Sequence, residues 1–237
     1  MLGKRLMIDT SKCIACKGCQ VACKQWHGLP AEDTSFTGSY QNPPDMSGAN
    51  LTVAKFVEKE EESGRLKWLF FKDQCRHCET PVCREVCPVA GAIVRQADGI
   101  VRVVPAKCKP DVCTDGDPKL CQMACPYSVP KRIYKKNGSV VKAKMRKCDF
   151  CYNRYLTSQK VPAKSRKPSC QLACPPEAII SGKPSPMMTK ANARVTYLRS
   201  NGFPDANVYP PQGGYYGPTH VIWVLTEKPS VYGLNVY

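Results

Sequence analysis

Residues 13–24 read CIACKGCQVACK, with cysteines at 13, 16, 19 and 23 and gaps of two, two and three residues. Three thiols this close suit a loop wrapped around a compact object, and the fourth stands about one helical turn, ~6 Å, beyond the third. The ending C-x3-C recurs. CRHCETPVCREVCP places Cys75, Cys78, Cys83 and Cys87, and CKPDVCTDGDPKLCQMACP places Cys108, Cys113, Cys121 and Cys125. A further group is split: CDFC carries Cys148 and Cys151, and CQLACP carries Cys170 and Cys174. Four groups of four use all sixteen cysteines of the 237-residue chain.

In the last three groups a proline follows the final cysteine, which makes continuing the helical turn difficult. The spacing C-x2-C-x2-C-x3-C-P is a bacterial iron–sulfur run whose fourth cysteine ligates the other cluster of a pair. The first group matches it with Lys24 in place of the proline, and the others carry longer gaps, up to eighteen residues in the split group. Disulfides suit shorter secreted scaffolds, and cysteines this closely spaced do not readily pair among themselves. Zinc takes pairs of C-x2–4-C knuckles, which would leave the third cysteine of each group surplus. Inert buried thiols do not fall into ordered quartets. The expected cofactors are therefore four [4Fe–4S] clusters, with all sixteen cysteines binding cluster iron and no separate metal site.

The formal charge of +16 fits this reading. Each cube with four thiolates carries about −2 when oxidised, so four cubes offset about half of that charge. Lys12, Lys17, Lys24, Arg76, Arg84, Lys107 and Lys147 lie beside the cysteines; collectively they favour reduced clusters, although any one of them alone is ordinarily a solvated surface charge. Basic blocks are absent, and nucleic acid is not an expected partner. Leu, Ile, Val and Phe are sparse, so the apolar core is expected to be modest. The longest strongly apolar stretch is VIWVL at 221–225, far short of the ~18 residues of a membrane span. The leading MLGKRLMIDTSKC leaves no room for a signal peptide's apolar core.

Strand-like lead-ins RLMIDTSKC and IVRVVPAKC, and echoing tails CPVAGAI and CPPEAII, mark ferredoxin half-repeats. AIV, a turn at Asp98-Gly99 and IVRVV predict a hairpin. The expected fold is α+β: two double-cluster ferredoxin modules of bacterial type, one nested in the other, with a long insertion and a C-terminal extension. The outer module takes 1–23 and 140–182, the insertion 24–66, the inner module 67–139 and the extension 183–237. In the extension, TKANARVTYLRSNG predicts a helix closed by Gly202, YPPQGGYYGP an aromatic loop and THVIWVL a strand. Exposed Tyr and Trp of this tail would either form a partner-contacting surface or cover the cubes. The three histidines are His27, His77 and His220; His77, inside CRHC, finds no vacant ligand position beside four cysteines. No Ser/His/Asp set, phosphate loop or carboxylate pair stands out, so no catalytic residue is expected.

The nested four-group pattern resembles the four-cluster iron–sulfur subunits of the molybdopterin oxidoreductases. KCIACKGCQVACKQW, QNPPD, WLFFKDQCRHCETPVC and GPTHVIWVLTEKPSVYGL resemble the beta subunit of formate dehydrogenases. The resemblance implies a large catalytic partner with a tungsten or molybdenum pterin site, and a downstream acceptor such as a cytochrome or ferredoxin. It implies periplasmic residence by co-export with a signal-bearing partner, the alternative being cytoplasmic. Membrane-bound members carry a further C-terminal anchor; the chain stopping at Tyr237 leads to an expectation of no membrane span of its own. Alternatives in the same class are a sister enzyme acting on polysulfide, thiosulfate, nitrite or an aldehyde, or an independent multicluster ferredoxin. As in paired bacterial clusters, the nested arrangement predicts exchanged ligands: Cys13, Cys16, Cys19 with Cys174; Cys148, Cys151, Cys170 with Cys23; Cys75, Cys78, Cys83 with Cys125; and Cys108, Cys113, Cys121 with Cys87.

Overall fold

The computed structural model describes residues 3–113, 118–133, 144–156, 161–213 and 217–234. The boundary expected at 139/140 and the tip of the aromatic loop at 214–216 lie outside the described residues. Strand β1 (Arg5–Asp9) is the lead-in to the first cysteine group and forms the middle of a four-stranded sheet of order β6-β1-β8-β7. It pairs antiparallel with β6 (Ile179–Gly182), with Ile8 opposite Ile179, and parallel with β8 (Val221–Leu225), with Leu6 opposite Val221. Strand β7 (Asn207–Tyr209) closes the far edge against β8.

Both faces of the central pair are covered, which is why RLMID and VIWVL read as continuous runs rather than alternating ones. Leu6, Ile8, Val221, Trp223 and Leu225 face a core shared with Phe71, Tyr209 and Tyr232. Met7, Ile222 and Val224 face α5 (Pro184–Arg199), which packs Met187, Ala191, Val195 and Leu198 against them. Those four positions recur at the spacing of one helical face. The residue pattern alone places the start of this helix at Thr189; it starts five residues earlier because a proline at its first position has its φ preset for a helix. Its end is as expected, with Gly202 in the left-handed region at φ 90°.

Two hairpins stand outside this sheet. Strand β2 (Val53–Glu60) pairs along its whole length with β3 (Leu66–Asp73), and β4 (Ile93–Arg95) pairs with β5 (Val101–Val103). The second is the hairpin expected from AIV and IVRVV. Its turn needs Gly99: φ is 86°, and a Cβ there would sit 2.0 Å from the His220 ring. The first was not foreseen. Residues 24–66 read as turn-rich, but ESG at 62–64, with Gly64 at φ 75°, is a turn between two strands.

Among the described residues of the extension, Tyr197 is exposed but three aromatics are packed inside. Trp223 and Tyr209 are fully buried and Tyr232 nearly so. Trp223 stacks on Phe71 with ring centroids 5.1 Å apart and donates its indole N–H to the Lys72 carbonyl at 2.9 Å. Arg76 completes this core, its guanidinium 5.1 Å from the Trp223 ring and 4.3 Å from Tyr127. Burial works against both the Arg76 cation and the Asp73 carboxylate, but their ion pair, helped by Lys55 at 3.0 Å from Asp73, outweighs it and keeps both charged. Replacing Asp73 with alanine would leave Arg76 buried without its closest anion. It should cost about 3–5 kcal/mol, read as a lower denaturant midpoint of the metal-loaded chain under anaerobic conditions.

Candidate iron–sulfur centres

Three of the four cysteine groups open the same way for a local reason. In Cys13-x-x-Cys16, Cys75-x-x-Cys78 and Cys148-x-x-Cys151 the residue before the second cysteine is left-handed: Ala15 at φ 52°, His77 at 51° and Phe150 at 61°. This curls the loop so that amides turn toward sulfur. The His77 N–H donates to Cys75 Sγ, and the Phe150 N–H to Cys148 Sγ, each at 3.4 Å. The third and fourth cysteines are then spaced by helix, as expected. Helix α1 (Gly18–Trp26) carries Cys19 and Cys23, while α2 (Val82–Glu85), α3 (Leu120–Met123) and α4 (Ser169–Leu172) are single turns.

The cysteines converge on three cavities and one further cluster, and each set draws its fourth thiol from another group. Cys13, Cys16, Cys19 and Cys174 line the first cavity. Cys23, Cys148, Cys151 and Cys170 line the second. Cys75, Cys78, Cys83 and Cys125 line the third. Cys87, Cys108, Cys113 and Cys121 are mutual electrostatic neighbours and form the fourth set. Electrostatic neighbours across the sets run in a row. Cys19 faces Cys170, Cys148 faces Cys75, and Cys121 faces Cys83.

The donor chemistry decides what such sites can hold. All sixteen thiols are free, so disulfide staples do not account for them. A single zinc held by four thiolates at ~2.3 Å draws its sulfurs to within about 3.8 Å of one another. Among the described residues, the only group of three metal-ligating atoms all within 4.8 Å is His27, Asp149 and Cys151, and no three thiols meet that limit. The sulfurs stand apart around empty apolar space, as a polynuclear cluster requires and a lone ion does not.

Two family models, each described as a 4Fe-4S dicluster domain, match residues 66–184 and 12–92. The chain is 38% identical over 228 residues to "Formate dehydrogenase, nitrate-inducible, iron-sulfur subunit" of Escherichia coli (strain K12), covering 95% of this chain and 70% of that one. It is 36% identical over 231 residues to "Formate dehydrogenase 2 subunit beta (cytochrome c-553)" of Nitratidesulfovibrio vulgaris, covering 97% and 96%. This chain belongs to the iron–sulfur (beta) subunits of formate dehydrogenases. As such it is a metal-binding, electron-transfer subunit, not a catalytic one. A more distant likeness, 34% over 175 residues, covering 74% of this chain and 71% of the other, reaches the B subunit of the anaerobic dimethyl sulfoxide reductase of Escherichia coli (strain K12). Among the described residues no helix is long and apolar enough to cross a membrane.

In this subunit the buried thiols keep their protons until a metal displaces them. Burial pushes Cys19, Cys78, Cys83, Cys121 and Cys151 up to about 12. They stay neutral at ordinary pH until a metal takes them as thiolates with release of protons. Basic residues beside the cysteines divide into two kinds. Lys12, Arg84 and Lys107 are exposed, but Arg76 and Lys147 are buried. Lys72 is also buried, lining both the first and the second cavity. It was missed because it sits in WLFFKDQC as one charge in an apolar run. The signal was that interruption of a buried strand three residues before a cysteine.

The histidines have positioning roles. His77 is fully buried and accepts the Val101 N–H on Nδ1 at 3.0 Å; burial, with Lys147 nearby, holds its pKa well below the usual range. His27 meets the Cys23 carbonyl with Nδ1 at 2.9 Å and Asp149 with Nε2 at 2.8 Å. That ties the helix of Cys23 to the loop of Cys148 and Cys151. Burial lowers the His27 pKa, but Asp149 outweighs it and leaves it raised. His220 bridges the Lys4 carbonyl and Glu79.

Proposed function

We propose that this subunit holds four [4Fe–4S] clusters, one in each thiol set, and relays electrons between a tungsten or molybdenum pterin catalytic subunit that acts on formate and an external acceptor. The observation that carries the reading is the row of four four-thiol sets whose sulfurs are too dispersed for single ions. When bound, such clusters supply one-electron transfer at potentials tuned by charge, burial and hydrogen bonds to sulfur. The chain's residues do the rest. Cysteines hold the groups, the amides of His77, Phe150 and Ser169 donate to sulfur, and the apolar linings keep water from the middle of the row.

The row's ends suit entry and exit. Cys16 is exposed, with Ile14 58% exposed beside it; at the other end Val112 and Met123 flank the fourth set, 60% and 63% exposed. The second set lies deep, with Cys23, Cys151 and Cys170 buried. The acceptor is a cytochrome or ferredoxin; the Nitratidesulfovibrio relative has cytochrome c-553 in its name. The outer module comprises 1–23 and 140–182, the inner module 67–139, the insertion 24–66, and the extension 183–237 contacts the partner. The assembled complex is exported folded to the periplasm, which cell fractionation tests.

Anaerobic purification should yield about 16 irons and 16 acid-labile sulfides per chain, at four of each per cluster. Formate should bleach the visible absorbance only when the pterin-bearing chain is present. Stoichiometric zinc with little iron would overturn the cofactor reading. Bleaching by another substrate, and not by formate, would move the subunit to a sister enzyme.

A further inference from the structure

We infer that Lys72 and Lys147 are shared, potential-setting cations, each wedged at a junction between two thiol sets and acting on the clusters on both sides. The inference rests on the four-cluster reading and deepens it. Lys72, from β3, lines the first and second cavities together. Its electrostatic neighbours are Cys19 of the first set and Cys23, Cys148 and Cys170 of the second. Its ammonium donates to the Gln74 side-chain oxygen. Lys147 does the same at the next junction. It lines the third cavity, neighbours Cys75 and Cys83 of the third set, and neighbours Cys148 of the second.

The hydrogen bonding of Lys147 suits an ammonium. Nζ donates to the Val101 carbonyl, to the Cys148 carbonyl at 3.1 Å and to Cys75 Sγ at 3.4 Å. Three acceptors use three N–H donors, and an ammonium is the form of lysine that has three. Neither lysine is hydrogen-bonded or ion-paired to a carboxylate among the described residues, although the Asp149 carboxylate lies within electrostatic reach of Lys147. Such a cation in a solvent-poor interior is retained where the groups facing it are anionic, as metal-bound thiolates are.

A cation shared across a junction favours an added electron on either neighbour without holding it on one side. Lys72 therefore acts on the first and second sets, Lys147 on the second and third, and the second set receives both. Exposed lysines are screened by water and do not have this effect. The chain thus raises the potentials of the middle of its relay with charges no solvent can reach.

The test is an anaerobic redox titration of the full iron-loaded chain, followed by electron paramagnetic resonance, for wild type, Lys72→Gln, Lys147→Gln and the exposed control Lys12→Gln. Each junction variant should lower two of the four midpoint potentials, weakening one-electron uptake about tenfold, or roughly 59 mV. One lowered potential should be common to both variants, and Lys12→Gln should move none. Full iron with unmoved potentials, or an equal shift in all four, would overturn the lysines' role while leaving the four-cluster reading intact. If one variant loses iron, the other still decides. Iron loss from both would assign the lysines to structure alone and overturn the inference, and a wild-type chain with far fewer than 16 irons would remove both readings.

Discussion

Replacing Cys23 with alanine should empty the set that contains Cys148, Cys151 and Cys170, and leave Cys13, Cys16 and Cys19 loaded. Cys23 is only four residues from Cys19, yet it lines a different cavity. Helix α1 sends the two thiols to opposite sides of a junction. Iron should fall from about 16 to about 12 per chain, at four per cluster. Because the second set lies inside the row, electron throughput from one end to the other should collapse by orders of magnitude. The grouping can be read without assigning spectra. Cys23→Ala and Cys148→Ala should lose the same paramagnetic signal, and Cys174→Ala and Cys13→Ala should lose a different one. Matching losses from Cys23→Ala and Cys13→Ala would show that each sequence group closes its own site.

Stripping all iron from the chain should unfold most of it. Helices α2, α3 and α4 are four residues each, far below the length at which a helix persists alone. Among the described residues, seven non-glycines, Ala15, Lys17, His77, Ser128, Phe150, Cys151 and Glu177, adopt left-handed backbone, each at a cost of about 1–3 kcal/mol. All seven lie within three residues of a cysteine. Without metal the buried thiols revert to neutral, and Lys72 and Lys147 lose the anions that justify their burial, at several kcal/mol for each ion. Anaerobic chelation should therefore abolish near-ultraviolet circular dichroism and expose Trp223 to water, and restoring iron and sulfide should reverse both. A metal-free chain that keeps its tertiary spectrum would show that the protein core alone carries the fold.

The cysteine loops and turns were legible because ligand chemistry is written in spacing. C-x2-C demands a curled loop, and C-x3-C a helical turn; both appear where the residues put them. The β4–β5 hairpin and α5 were legible from turn chemistry and periodicity. The β2–β3 hairpin was not, because KFVEKE and LKWLFFKD carry charges on both faces and lack clean alternation. Burial of Trp223 and Tyr209 was equally hidden: an aromatic in a short, glycine-rich tail looks exposed until its partner, Phe71, arrives from 152 positions earlier. The burial of Lys72 and Lys147 was hidden for a related reason. A lysine beside a cysteine reads as a surface charge unless the strands that enclose it are known.

The position of β1 has a consequence for biosynthesis. Its antiparallel neighbour is some 170 residues downstream and its parallel neighbour 215. At a ribosome's ~5–20 residues per second, Leu6 and Ile8 wait roughly 10 to 40 seconds for a strand to pair with. Cys170 and Cys174 emerge only a few residues before β6, so Cys13 to Cys23 leave the exit tunnel with their sites incomplete. Completion of these two thiol sets therefore waits until Cys174 has been made, and that interval is set by elongation rate. Slowing translation late in the message should lengthen that interval and lower the yield of fully loaded subunit, whereas slowing it before the first cysteine should not.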